Sequence, residues 1–386
     1  MSPAASLAAE PVDDRAAEPG EAARRSSGEF PSGSPSPLRS ETLEPEASLS
    51  AAVAARLREA AGGSRGAIAR LLSVVERGGP AARALAREVD SGEREPETIG
   101  ITGAPGAGKS TLTSALVRRV REEGRRVAVL AIDPSSPFSG GAILGDRVRM
   151  QSHAGDPEVF IRSLASRGHL GGLAAAVPEA VRLFGAVGFP VVVVETVGVG
   201  QVEVDVAGAT DTTVVVVTPG WGDTVQANKA GLLEVADLFV VNKADRPGAR
   251  EARRDLEAML ELSGSLPWRP PVIETVATDG SGVEELWAAI GRHRAYLEGS
   301  GAGLRRRAAR REAEAARLAM AQLQAALAAV LAEPFGEELR VALADGRLDV
   351  RTAADRLVAR VQAARMPEAE GFPVGGGPRP GDCRGA

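Results

Sequence analysis

The stretch Gly103-Ala104-Pro105-Gly106-Ala107-Gly108-Lys109-Ser110 limits what this chain can fold into more than any other. It follows the β-branched run Thr98–Thr102 and opens a helical pattern over Ser110–Glu123. Glycines at these positions let the backbone turn tightly enough for successive N–H groups to converge on one anion. Lys109 brings a point charge to the β- and γ-phosphates, and Ser110 a hydroxyl suited to Mg²⁺. The helix that starts here points its positive end at the same place. Residues Gly103 to Thr111 are therefore expected to bind a nucleoside triphosphate, with Lys109 also serving catalysis.

A strand–loop–helix unit of this kind needs a sheet around it, and the chain supplies one. Apolar runs at Val127–Ile132, Val159–Leu164, Val191–Glu195, Thr213–Thr218, Leu238–Val241 and Val272–Val276 alternate with helical stretches such as Leu173–Val187, Ala227–Val235, Ala249–Leu262 and Val283–His293. Such alternation predicts an α/β fold with a mostly parallel sheet covered on both faces. The uninterrupted valines at 191–194 and 214–217 fit strands buried on both sides. Before this region, Leu49–Val89 has helical spacing. After it, the chain is Ala/Arg/Leu-rich and helical through Leu331, breaks at Pro334-Phe335-Gly336, and resumes over Glu337–Ala344 and Val350–Val361. The expected organisation is a disordered extension over 1–47, a helical segment over 48–95, the α/β domain over 96–298, a helical arm over 299–365 and a flexible tail over 366–386. The extension is too poor in large apolar side chains to offset ordering entropy.

The base that accompanies the phosphates is specified at Asn242-Lys243-Ala244-Asp245, at the end of a strand about 130 residues after the glycine loop. Guanine presents N1–H and N2–H₂ side by side, and one carboxylate, Asp245, accepts both. Adenine offers neither donor and would leave Asp245 unpaired, at a cost of roughly 1–3 kcal/mol or more. Asn242 is expected to hold the loop and Lys243 to lay its stem over the purine. In Glu274-Thr275-Val276-Ala277-Thr278, the Ala277 amide is expected to face the guanine O6. The strand ends also carry acids. Asp133 follows the second strand and Asp146 closes a glycine-rich loop beginning at Gly140. Glu195 ends the valine strand ahead of Gly198, whose amide is suited to the γ-phosphate. Asp133 is placed to hold Mg²⁺ directly or through water, the loop closed by Asp146 has the hinge content to cover a γ-phosphate, and Glu195 is expected either to stand behind the Mg²⁺ ligands or to position water.

The stretches Gly103–Thr111, DPSSPFSGGAILGDRVRM at 133–150, ETVGVGQVE at 195–203, PGWGDTVQANKAGLLEVAD at 219–237 and Asn242–Asp245 resemble the MeaB/ArgK family of P-loop GTPases over roughly 50–362. The resemblance implies a GTPase domain flanked by N-terminal helices and a C-terminal dimerisation arm, and hence a homodimer. It implies a chaperone for an adenosylcobalamin-dependent acyl-CoA mutase, chiefly methylmalonyl-CoA mutase. It also implies that Ser110, Asp133, Asp146 and Glu195 form the Mg²⁺ set, with Glu195 and Asp146 serving catalysis beside Lys109, and that a further switch spans Pro219–Ala230, including Gln226 and Lys229. Hydrolysis by the isolated protein is expected to be slow.

Other classes fit less well. The net charge of -5 argues against nucleic acid, and no run of 18 apolar residues occurs, so no membrane partner is expected. No secretory pattern opens the chain, which points to the cytoplasm. A nickel-insertion GTPase would call for His- or Cys-rich tracts, whereas the chain has one cysteine and three scattered histidines, each expected to be structural. A transport-linked kinase would need an acceptor pocket and gains nothing from guanine specificity. Arg167 occupies the place of the aspartate in an Asp-x-His-x-x-Gly cobalamin loop around His169, so the chain is not expected to carry the cobalamin itself. The arginines of Leu304–Arg311 are expected to face solvent or a partner.

Overall fold

A computed structural model describes residues 46–90, 95–134, 151–153, 155–166, 172–196, 206, 208–220, 234–264 and 266–365, all within one unit spanning 45–386. Residues 1–45 of the extension expected over 1–47, the tail beyond 365, the loop that holds Asp146, the stretch with Gly198 and most of the expected switch, Gln226 and Lys229 included, lie outside the described residues, whereas 46 and 47 already belong to the first helix.

Seven strands form the sheet: β1 (Glu97–Gly103), β2 (Val127–Pro134), β3 (Val159–Ser166), β4 (Val191–Thr196), β5 (Thr212–Val217), β6 (Leu238–Asn242) and β7 (Val272–Thr275). Their order is β3-β2-β4-β1-β5-β6-β7, and every neighbouring pair is parallel. Between and beyond them lie helices α1 (Glu46–Ala61), α2 (Arg65–Arg77), α3 (Gly79–Asp90), α4 (Lys109–Glu122), α5 (Gly172–Ala186), α6 (Ala249–Leu262), α7 (Val283–Gly299), α8 (Ala302–Ala332), α9 (Pro334–Ala344) and α10 (Val350–Arg365).

The valine run of β4 shows how the sheet is buried. Successive strand residues point to opposite faces, so Val191 and Val193 pack with α4 and α7 on one side. Val192 and Val194 pack with α1, α2, α3 and α5 on the other. The second face is sealed by Phe160, Phe184 and Phe189, whose rings meet at 5.4–6.4 Å. A third cluster joins β5 and β6 to α6 through Val215, Phe239 and Leu256. With both faces covered, every strand from β1 to β7 delivers its C-terminal end to the same edge, where ligands bind in open sheets of this kind.

Two expectations about the arm change. Its apolar stripe is partly buried within the arm itself, since Val330, Leu339, Ala353 and Val361 are all buried where α8, α9 and α10 meet. Leu318, Met320 and Leu323 remain 38%, 57% and 44% exposed. Among the arginines at the start of α8, Arg305 stays exposed as expected, but others turn back onto the sheet. Arg306, Arg307 and Arg310 dock on the sheet of their own chain, at Asp211 and Asp237, and Arg311 pairs with Glu95. Sequence analysis missed this because the two acids that receive them stand about 70–100 residues away. By length and composition alone α8 is also apolar enough to cross a membrane, which the absence of an unbroken apolar run did not suggest.

Candidate guanine-nucleotide site

The glycine loop joins β1 to α4 at the C-terminal edge of the sheet. Gly103 has φ 136° and Gly108 φ 90°, conformations that L side chains rarely adopt. A Cβ at Gly103 would press into the Val216 carbonyl of β5, and one at Gly108 into the Asn242 amide. Gly108 caps α4 without a side-chain hydrogen bond, which leaves the first-turn amides of α4 for an acceptor outside the helix. Lys109 is buried, and its Nζ donates to the carbonyls of Gly103 (2.8 Å) and Ala104 (2.9 Å). Its ammonium is thus held inside the loop, spanning it from within.

Beside Lys109, the Ser110 hydroxyl donates to Glu195 Oε1 at 2.6 Å, and both residues are buried. A carboxylate that deep requires polar partners. A hydroxyl that donates to it keeps its own lone pairs, so Ser110 and Glu195 together present the oxygen ligands that a hard cation such as Mg²⁺ takes. Asp133 lies next to last in β2, and its backbone pairs with Ala165. One residue beyond Glu195, Thr196 Oγ1 donates to Thr102 Oγ1 at 3.1 Å, a buried bond between the β4 exit and the start of the loop. Neither threonine was singled out from sequence.

The base loop is built around Asn242. Its Nδ2 donates to the Ala107 carbonyl (2.8 Å), and its Oδ1 accepts from Thr275 Oγ1 (3.1 Å) and the Ala277 amide (3.1 Å). One buried side chain therefore ties together the glycine loop, the end of β6 and the segment after β7. The Ala277 amide, expected to face the guanine O6, donates to Asn242 in this structure. Thr275 is the contact the sequence reading missed, although it stands in the stretch quoted for Ala277. Lys243 has φ 61°, the only positive φ outside glycine among the described residues, and strained backbone of this kind gathers at functional sites. Its Nζ reaches the Gly106 carbonyl at 2.7 Å, so its stem bridges from the base loop to the phosphate loop. Asp245, two residues on, is exposed.

Behind the site, His153 is buried against α4 with Nε2 2.8 Å from Ser114 Oγ and 3.1 Å from the Ser114 carbonyl. Burial lowers its pKa from the ordinary value, a shift that the bond to the Ser114 carbonyl partly opposes. His293 is buried between Thr212 Oγ1 (2.9 Å) and Asp237 Oδ1 (3.2 Å) at the opposite edge of the sheet.

A glycine loop feeding a helix, with an Asn-Lys-x-Asp loop beside it on a parallel sheet, defines a P-loop GTPase. Comparison with known proteins narrows this. The family described as methylmalonyl Co-A mutase-associated GTPase MeaB matches residues 68–332. A Pyrococcus abyssi protein named as a GTPase is 46% identical over 303 residues, 78% of this chain and 94% of its own. The mouse protein called methylmalonic aciduria type A homolog, mitochondrial, is 37% identical over 58% of this chain and 59% of its own. The crystal structure of a LAO/AO transport system kinase superposes with a TM-score of 0.60 at 29% identity, covering 81% of this chain and 98% of that one. The chain belongs to the MeaB family and is a GTPase.

Proposed function

We propose that this GTPase serves as a chaperone for an adenosylcobalamin-dependent acyl-CoA mutase, methylmalonyl-CoA mutase in the first place, and gates loading or protection of its cofactor. The mutase reading is supported by the family match over 68–332, because that family is described by its mutase association. The guanine reading is supported by the Asn242 clamp, which ties the start of the Asn-Lys-Ala-Asp stretch to the phosphate loop. In this scheme residues Gly103–Thr111 hold the phosphates, Gly198 contacts the γ-phosphate, and Asn242, Lys243 and Asp245 hold the base. Ser110, Asp133, Asp146 and Glu195 would hold Mg²⁺, which would supply charge neutralisation to the nucleotide's phosphates. Lys109 moves from the loop carbonyls to the phosphates, and Glu195 positions water or the Ser110 hydroxyl. Gln226 and Lys229 belong to the segment that answers to the mutase.

The exposed Leu318, Met320 and Leu323 on α8 support a homodimer formed through the arm, since a twofold partner is the commonest cover for such a stripe. The cytoplasm is the proposed compartment. Size-exclusion chromatography with light scattering tests both assemblies in one run. The protein alone should elute with the mass of a dimer, and the GTP-analogue form should co-elute with the mutase more completely than the GDP form. A monomer at high micromolar concentration would contradict the dimer. Equal or absent co-elution in both nucleotide states would contradict the chaperone.

A further inference from the structure

The edge of the sheet opposite the nucleotide site carries a polar joint. Asp211 and Asp237 precede β5 and β6, and both are buried. Each carboxylate anchors strand backbone: Asp211 Oδ2 accepts from the Thr98 amide of β1 (3.3 Å) and Asp237 Oδ2 from the Thr213 amide of β5 (2.9 Å). Each also takes guanidinium groups from the first turns of α8. Arg307 reaches both oxygens of Asp211 at 3.2 and 2.8 Å, and Arg310 joins it on Oδ1. Arg306 bridges the two strands, donating to Asp237 Oδ1 (2.9 Å) and to the Asp211 carbonyl (3.2 Å). Burial would raise the Asp211 pKa, but the Arg307 and Arg310 guanidiniums outweigh it and hold the carboxyl below its ordinary value.

The same two strands meet the phosphate loop at their far ends, about 20 Å away for a strand of this length. β5 runs beside β1 with Gly103 paired to Val216, so tightly that Gly103 has no room for a Cβ. β6 ends in Asn242, which holds Ala107. Gly103 and Ala107 of the glycine loop therefore rest on β5 and β6, and α8 grips both strands from behind. Of α8 only Glu314 and Val330 are buried, so its hold on the sheet is made of charge and not of apolar area. Withdrawing the arginines would leave two buried carboxylates without their countercharge, which a folded chain tolerates poorly.

We propose that Arg306, Arg307 and Arg310 are positioning residues for the nucleotide site: they set β5 and β6 along their axes and so couple the orientation of the arm to the conformation of the phosphate and base loops. This inference rests on guanine-nucleotide binding at that site. By linkage, a nucleotide that changes the strands must change the hold on α8 by the same factor.

The test uses the full chain. Affinity for a fluorescent GDP is measured together with hydrogen exchange of the peptide covering Ala302–Glu314, with and without nucleotide. In the wild type, nucleotide should slow exchange in this peptide several-fold. The variant Asp211→Asn/Arg307→Gln/Arg310→Gln, which takes away the carboxylate together with both guanidiniums that face it, should bind nucleotide about tenfold more weakly, within the usual range of coupling energies, and lose the nucleotide effect on exchange. Arg311→Gln, which breaks only the pair with Glu95, should change neither. Should the triple variant fail to fold by circular dichroism, the wild-type exchange still decides. Nucleotide that binds without altering exchange over Ala302–Glu314 overturns the joint, as does a folded triple variant of wild-type affinity. Failure of the wild type to bind GDP at all would instead overturn the site.

Discussion

Asp245→Asn should turn this protein from a binder of guanine nucleotides into one that prefers xanthine nucleotides. The carboxylate accepts two donors from guanine. An amide there accepts only N1–H and turns its own donor toward N2–H₂, whereas xanthine offers an oxygen at that position and accepts it. Sites built on such paired hydrogen bonds reject the analogue that lacks a partner by about 10⁴–10⁵ in favourable cases. Asp245 is exposed, so the substitution removes no packing and should leave the fold unaffected. The expected result by calorimetry is a loss of GTP affinity of at least about 10²-fold with a matching gain for XTP, from the cost of an unpaired polar group on one side and its repair on the other. Unaltered GTP binding by the variant would show that Asp245 does not read the base.

Lys109→Ala should lower GTP turnover by about 10³-fold or more. Removing one preorganised donor to developing charge typically costs 10²–10³ in rate, and here the group is also the loop's internal brace. Its ammonium satisfies the carbonyls of Gly103 and Ala104, and its loss leaves both to find other donors. The variant should keep the circular dichroism of the wild type, because β1 and α4 are fixed by apolar contacts on the sheet. Phosphate release within tenfold of wild type would contradict this role.

Much of this was legible in the sequence because the signals are local. Val191–Val194 and Val214–Val217 announce doubly buried strands, and the predicted helix Ala249–Leu262 has the same bounds in the structure. The phosphate and base loops are short motifs whose residues stand together in the sequence. What escaped is long-range pairing of polar groups. Nothing near Asn242 says that its amide reaches Ala107 or that Ala277 faces it. The arginines of α8 were read by the usual rule that a charged helix face meets solvent, and only the topology shows Asp211 and Asp237 waiting at the strand starts. Asp146, Gly198, Gln226 and Lys229 lie outside the described residues, so their roles rest on sequence alone.

The central claim is that hydrolysis at this site answers to a mutase. GTP turnover is therefore to be measured with the protein alone and with increasing adenosylcobalamin-dependent methylmalonyl-CoA mutase, at saturating GTP and Mg²⁺. A partner that supplies a missing charge to the transition state raises such rates by as much as about 10³–10⁵. The account predicts slow turnover alone and a saturable rise of at least about tenfold on mutase addition, a modest share of that range. A rate that stays the same while the mutase is shown to be bound would contradict it.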